Sequence, residues 1–330
     1  MRDARGLLRG LLAALCAVAS GWVAAGCHGS LPDRPPIEPG NYREKLDLRA
    51  GGFRRAFSVH VPAGFDGQRP LPLVVVIHGA FDTAAGMEKA SGFSRLADRE
   101  HFFVLYPEGM NLFGFLSHWN AGHCCGKAAE DGVDDVGFLA AAVERVCQRL
   151  PVDQTRIYMV GFSNGGMLTY RFAAERGDML AAAATLGASA GGTPAAGVPP
   201  WRIPEPVAAI PILSIHGLAD DFVPFAGGAS PARGGERTYL SVPDSLAVFI
   251  ERDGCRRRTD QPALYGGRIH RTAWLDENGA EAVVLYGIAG WGHVWPGPAF
   301  TRTMPEGKGI ETFDAAAVVW DFFKIHRRSR

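Results

Sequence analysis

The chain has 330 residues, and its 34 Lys and Arg balance its 34 Asp and Glu, so the formal net charge is zero. That length suits a single α/β domain with long loops. The charge balance argues against a nucleic-acid binder or a polyanion carrier, both of which gather an excess of cations, and no internal repeat is visible.

Residues 1–27 read as a targeting segment. Arg2, Arg5 and Arg9 precede an apolar run at 11–19, and small residues follow up to Gly26-Cys27. Basic head, apolar middle and small-residue end are the parts of a secretory signal, and the run is short for a membrane span. The reading is export, to the periplasm or the medium. Two cleavage points compete. Val23-Ala24-Ala25 fits signal peptidase, whereas Ala24-Ala25-Gly26-Cys27 resembles a bacterial lipobox, with Ala24 where Leu is preferred. The second would anchor a membrane lipoprotein through Cys27. Residues 28–40 form a proline-rich tether, and 41–330 a single catalytic domain.

Leu46, Leu48, Phe57, Val59 and Val61 alternate with polar residues around Gly51-Gly52, which predicts an antiparallel hairpin at a sheet edge. Leu73-Val74-Val75-Val76-Ile77 is continuous and apolar, as in a strand covered on both faces, and ends at His78-Gly79-Ala80. One helix follows, with Met87, Ala90, Phe93, Leu96 and Ala97 on a single face, and then a second buried strand at 102–106. This alternation predicts an α/β fold: a mostly parallel, doubly wound sheet with an antiparallel N-terminal edge.

Residues 107–132 show no periodicity, and a loop of that length usually serves function. It carries His118, Trp119, His123 and Cys124-Cys125. Asp134 or Asp135 caps the next helix, in which Val136, Leu139, Ala140, Val143 and Val146 keep helical spacing. A cation site at Asp131, Asp134 and Asp135 is the weaker reading, because EF-hand-like spacing is absent.

A buried strand at 156–160 leads into Gly161-Phe162-Ser163-Asn164-Gly165-Gly166, and a helical pattern follows through Met167, Leu168, Tyr170 and Phe172. Strand, G-x-S-x-G and helix form a nucleophile elbow, with Ser163 at its apex above a helix N-terminus. Beyond it come a small-residue strand at 180–187 and a Gly/Pro-rich loop without regular structure at 189–209. A strand at 210–215, a helix at 246–252, strands at 269–274 and 283–288, and a last helix at 314–323 complete the chain.

A serine nucleophile needs a histidine base and a carboxylate that orients it, arriving in the order serine, acid, histidine after successive strands. Asp220, just past the strand that ends at His216, and His293, in the glycine-flanked Gly292-His293 loop, meet that order; Asp221 is the reserve acid. The oxyanion donors are assigned to the backbone N–H groups of Asn164 and Ala80, with Gly79 letting the chain turn inward.

These stretches, with Tyr106-Pro107-Glu108-Gly109, Trp119-Asn120-Ala121-Gly122, His216-Gly217-Leu218-Ala219-Asp220 and Gly292-His293-Val294-Trp295-Pro296-Gly297, resemble the esterases that include polyhydroxybutyrate depolymerases and feruloyl or acetylxylan esterases. The resemblance runs from Leu46 to the last helix. It implies an α/β-hydrolase fold, the triad Ser163, Asp220 and His293, no metal and no cofactor. The chain stops after the catalytic domain, so soluble esters derived from polysaccharide or polyester are expected rather than insoluble polymer. A serine peptidase on the same fold and a non-catalytic surface lipoprotein are the alternatives. Trp119 and Trp295 are candidates for the acyl or alcohol pocket, with core packing as the other reading. Adjacent cysteines are poorly placed to pair with each other. Cys124 and Cys125 are therefore expected to pair with Cys147 and Cys255, in either order, with a zinc site as the alternative.

Overall fold

The computed structural model describes residues 29–32, 37–112 and 116–328. The targeting segment, both cleavage readings, Cys16 and Cys27 lie outside the described residues.

Ten strands form the main sheet: β1 (Gly40–Ala50), β2 (Phe53–Val61), β3 (Leu71–Ile77), β4 (Phe103–Pro107), β5 (Val152–Phe162), β6 (Ala182–Leu186), β7 (Ile212–Gly217), β8 (Arg257–Asp260), β9 (Ile269–Leu275) and β10 (Glu281–Ile288). Their spatial order is β1-β2-β4-β3-β5-β6-β7-β10-β9-β8. The central six, from β4 to β10, are parallel, and both edges are antiparallel. The N-terminal antiparallel edge matches the sequence reading. The far edge was not legible, because β8 is fully exposed and shows no apolar alternation.

The continuous apolar strands follow from burial on both faces. Leu73, Val75 and Ile77 of β3 point into one core, while Val74 and Val76 point into the other. Helices α3 (Asp135–Arg149), α4 (Asn164–Arg176) and α5 (Val242–Arg252) cover the first face. Helices α1 (Ala84–Ser91), α2 (Phe93–Glu100) and α6 (Ala315–Phe323) cover the second. Each fully buried aliphatic side chain contributes about 1.5–3 kcal/mol, so the two-sided strands dominate the core.

Three local expectations change. The single helix expected after β3 is two, broken at Gly92, whose φ of 75° ends α1 and starts α2. The loop at 189–209 contributes Gly191–Thr193 and Trp201–Arg202 to a small antiparallel sheet with Gly228–Ala229 and Thr238–Tyr239. Strands of two or three residues carry no readable period.

The third correction concerns the cysteines. The sulfurs of Cys124 and Cys125 are set against each other rather than against Cys147 and Cys255, which are unpaired, half-buried thiols. The reason lies in the loop's own turn. Ala121 N–H donates to the Cys124 carbonyl and Cys125 N–H to the Trp119 carbonyl, and Arg237 Nη1 lies 3.3 and 3.5 Å from the two sulfurs. Cys147 on α3 and Cys255 after α5 pack instead against the hydrophobic core. Burial pushes both thiols up to about 11, so they are weakly nucleophilic at neutral pH.

Candidate active site

Parallel register brings the site together. Ile77 pairs with Gly161 and Phe162 with Leu186, so the residues after β3 and β5 emerge side by side. Gly217 pairs with Ile288, which sets the loop after β7 against the loop after β10. Leu218 N–H donates to the Ile288 carbonyl and Ala219 N–H to that of Trp291, stitching those two loops together.

Ser163 sits at the elbow with φ 53° and ψ −123°, a strained backbone for a residue with a Cβ. A Cβ at Gly161 would overlap the Gly165 carbonyl, and one at Gly165 would overlap the His78 carbonyl. Only glycine allows the turn to close this tightly. Ser163 N–H donates to the Leu186 carbonyl at 2.8 Å, which pins the apex to the neighbouring strand. The Ser163 hydroxyl donates to His293 Nε2 at 2.8 Å, and His293 Nδ1–H donates to Asp220 Oδ2 at 2.7 Å. The other carboxylate oxygen of Asp220 accepts the Phe222 and Val223 N–H groups at 2.9 and 2.8 Å. Asp221 is exposed. His216 Nε2–H donates to the Val223 carbonyl at 2.8 Å and so holds the same loop.

Gly79 lies directly on the elbow: its Cβ position is 3.3 Å from Ser163 Cβ. His78 is fully buried, its Nδ1–H donating to the Gly79 carbonyl at 2.7 Å and its Nε2 accepting the Gly109 N–H at 3.0 Å. That pattern requires a neutral ring, and burial supplies it by pushing His78 down to about 4. Holding the Gly79 carbonyl inward turns the opposite side of that peptide, the Ala80 N–H, toward the elbow, because C=O and N–H point in opposite directions across a trans peptide. The Asn164 N–H, at the start of α4, has no intrahelical partner. Both assigned donors thus belong to segments that flank Ser163.

The two tryptophans are not surface pocket residues. Trp119 is completely buried. Its backbone N–H and carbonyl bond the Asn164 side chain at 2.8 and 3.0 Å, and its indole N–H donates to the His78 carbonyl at 2.9 Å. It braces the oxyanion loop from behind. Trp295 is buried too, edge-on to Phe93 and Phe162. The sequence reading missed the exposed rings. Phe81, at φ 63°, follows Ala80 and is 58% exposed, and Phe222 is 44% exposed and stacks on the His293 ring at 5.3 Å. Phe162 also lies against that imidazole, tilted, at 5.0 Å. Adjacency of Phe222 to the candidate acid was the one available signal.

Asp134 caps α3 through the Gly137 N–H at 2.8 Å. Asp135 is buried and takes Arg55 at 2.6 Å and the Asn120 N–H at 2.7 Å, tying the long loop to β2. Asp131 pairs with Lys127. No cluster of potential metal ligands occurs among the described residues.

Buried neutral histidines give the fold a pH limit. Burial holds His78 at about 4 and, helped by the Arg237 charge, His123 at about 3, against an ordinary 6.5. The unfolded chain therefore binds more protons than the folded one at mildly acidic pH. Stability should fall as pH drops from about 6.5 toward 4, by up to about 1.4 kcal/mol per pH unit for each histidine. His123→Phe removes one of these buried rings and should flatten the curve of melting temperature against pH. Parallel curves for the two proteins would refute this.

The family described as Esterase PHB depolymerase matches residues 55–195. NocK of Nocardia uniformis subsp. tsuyamanensis, named as an esterase, is 32% identical over 77% of this chain and 74% of its own length. Feruloyl esterase B of Piromyces equi is 27% identical over 72% of this chain, and poly(3-hydroxyalkanoate) depolymerase C of Paucimonas lemoignei is 28% identical over 72%. This chain covers 42% and 58% of those two proteins, about half their length. The solved acetyl xylan esterase of Aspergillus awamori matches 76% of this chain and 94% of its own, with TM-score 0.52 and 15% identity. That likeness is one of fold, and the fold is that of the α/β-hydrolases.

Proposed function

This chain belongs to the PHB depolymerase esterase family and is a carboxylic ester hydrolase, and we propose that it is an exported serine esterase working through an acyl-enzyme on short soluble esters. The observation that carries the mechanism is the continuous hydrogen-bonded line from Asp220 through His293 to Ser163, at 2.7 and 2.8 Å, ending on a strained elbow. Ser163 Oγ attacks the ester carbonyl as its proton passes to His293 Nε2. The oxyanion is held by the Ala80 and Asn164 N–H groups above the positive end of α4. His293 then protonates the departing alcohol, and water repeats the cycle to release the acid. Asp220 keeps the ring in the tautomer that accepts from serine.

Export rests on the N-terminal signal pattern, with lipidation at Cys27 as its second form. Among the described residues no helix is long and apolar enough to cross a membrane. The names of the relatives support acetyl, hydroxycinnamoyl and small hydroxyalkanoate esters as the acyl range. A panel of soluble acetyl, butyryl, feruloyl and hydroxybutyryl esters, measured beside clearing of a polyester suspension, tests the reading. Higher kcat/KM on soluble esters with slow clearing is expected. Rapid clearing with poor turnover of every soluble ester would overturn it.

A further inference from the structure

We propose that the tip of the β1–β2 hairpin docks on an anionic lipid bilayer through Lys45, Arg49, Arg54 and the ring of Phe53, and that docking turns the active-site end of the sheet toward the membrane. The inference is independent of the chemistry at Ser163.

Topology places the tip. Phe57 of β2 pairs with Pro107, the last residue of β4. Residues 49–54 therefore stand beyond the carboxyl ends of the parallel strands, the end from which the loops of Ser163, Asp220 and His293 emerge. Exposed apolar side chains stand at this same end. Phe81 follows β3, Leu218 and Phe222 follow β7, and Tyr265 precedes β9, whose first residue pairs with Ile288 at the end of β10. Such grouping is costly against water, and a lipid–water boundary accepts it.

The hairpin supplies the charge. Arg43, Lys45, Arg49 and Arg54 are exposed on it, against one exposed acid, Asp47, which lies 3.8 Å from Arg54. Among the described residues none of Arg43, Lys45 and Arg49 forms an ion pair. Arg49 sits directly opposite Arg54 in the ladder, and like charges so placed repel. Basic residues at the other end of the sheet are paired instead, Lys324 with Asp321 and Arg327 with Asp153. A guanidinium fork matches a phosphate, so lipid headgroups would relieve the repulsion. Strand alternation puts Leu48 and Phe53 on the opposite face from Arg49 and Arg54, and Phe53 is 63% exposed. The tip thus offers a ring to the acyl boundary, while the long arginine stems carry their charges up to the headgroups.

The N-terminal segment arrives at the same hairpin. Gly29 is the first described residue, and its carbonyl accepts the Arg43 N–H at 3.1 Å. A lipid on Cys27, two residues earlier in the sequence, would add a second attachment beside the basic face. Stable membrane anchoring takes two such signals.

The test separates the hairpin from any lipid. Protein purified from the full chain carrying Cys27→Ser is mixed with vesicles of phosphatidylcholine alone, or of phosphatidylcholine and phosphatidylglycerol in equal parts, and sedimented. At low salt the anionic vesicles should bind it about tenfold more tightly or better. Arg49→Gln/Arg54→Gln should weaken that binding about 25-fold, from about fivefold for each cation near an anionic surface. Arg49→Lys/Arg54→Lys should retain it, and Phe53→Ser should weaken it about tenfold. Equal binding to both kinds of vesicle, binding unchanged in Arg49→Gln/Arg54→Gln, or an equal loss in Arg327→Gln would overturn the proposal. So would retention on polygalacturonate beads in place of vesicles, which would assign the patch to an acidic polysaccharide. Turnover of a soluble butanoate ester by each variant reports on the fold and the triad separately, so a failed docking surface and a failed esterase reading are distinguishable.

Discussion

Ser163→Ala should lower kcat on an activated ester by on the order of 10⁴-fold or more, with the fold intact. The side chain removed is small, and the backbone bond from residue 163 to the Leu186 carbonyl does not depend on it. Alanine at φ 53° is about as strained as serine, so the elbow should survive, and an unchanged melting curve would show that. The residual rate would come from the two oxyanion donors and from binding, which the substitution leaves in place. A fluorophosphonate probe should label the wild type and leave the alanine variant unlabelled. Retained activity in Ser163→Ala would end the proposed mechanism.

His293→Ala should be nearly as inactive as Ser163→Ala, and the double variant little worse, because the groups act as a unit. Asp220→Asn should cost about 10³–10⁴-fold, since an amide facing Nδ1 favours the tautomer that cannot accept from serine. Its effect has a second part. Asp220 also accepts two backbone N–H groups, from Phe222 and Val223; an Asn with its NH2 on Nδ1 keeps its carbonyl oxygen on both but without the charge, so the variant should melt only slightly lower. Asp221→Asn should be mild, because that side chain is exposed and the residue's recorded role is its backbone carbonyl. Crippling by Asp221→Asn with a mild Asp220→Asn would move the acid by one position.

The elbow was legible because everything it needs lies within a few residues of Ser163. An apolar strand, two glycines at fixed offsets and a helical pattern are local signals. The acid and base could be placed on loops after strands, because their order along the chain mirrors the order of the strands that deliver them. The choice between Asp220 and Asp221 was less secure, since neighbours in a loop differ only in where their side chains point. The structure orients Asp220 toward His293 and leaves Asp221 exposed.

The tryptophans and cysteines show where local reasoning stops. Trp119 was noticed for its position in a long loop, but its role comes from Asn164, 45 residues away, and from the His78 carbonyl, 41 residues away. Asp135 reads from the sequence as a capping residue, and its partner is Arg55, 80 residues earlier on β2. The cysteine pairing followed the turn around Trp119 and Arg237 rather than any rule of spacing.

The sequence alone determined the strand and helix alternation, the elbow and the loops that bear the chemistry, because periodicity and turn sterics act over a handful of residues. Tertiary structure alone decided which side chains meet. The register of β3, β5 and β6, and of β7 with β10, sets those loops beside one another, and burial then separates working residues from supporting ones. Trp119 and Trp295 fall behind the site, while Phe222 falls beside it. Such placement depends on distances across the assembled sheet, which no window along the chain contains.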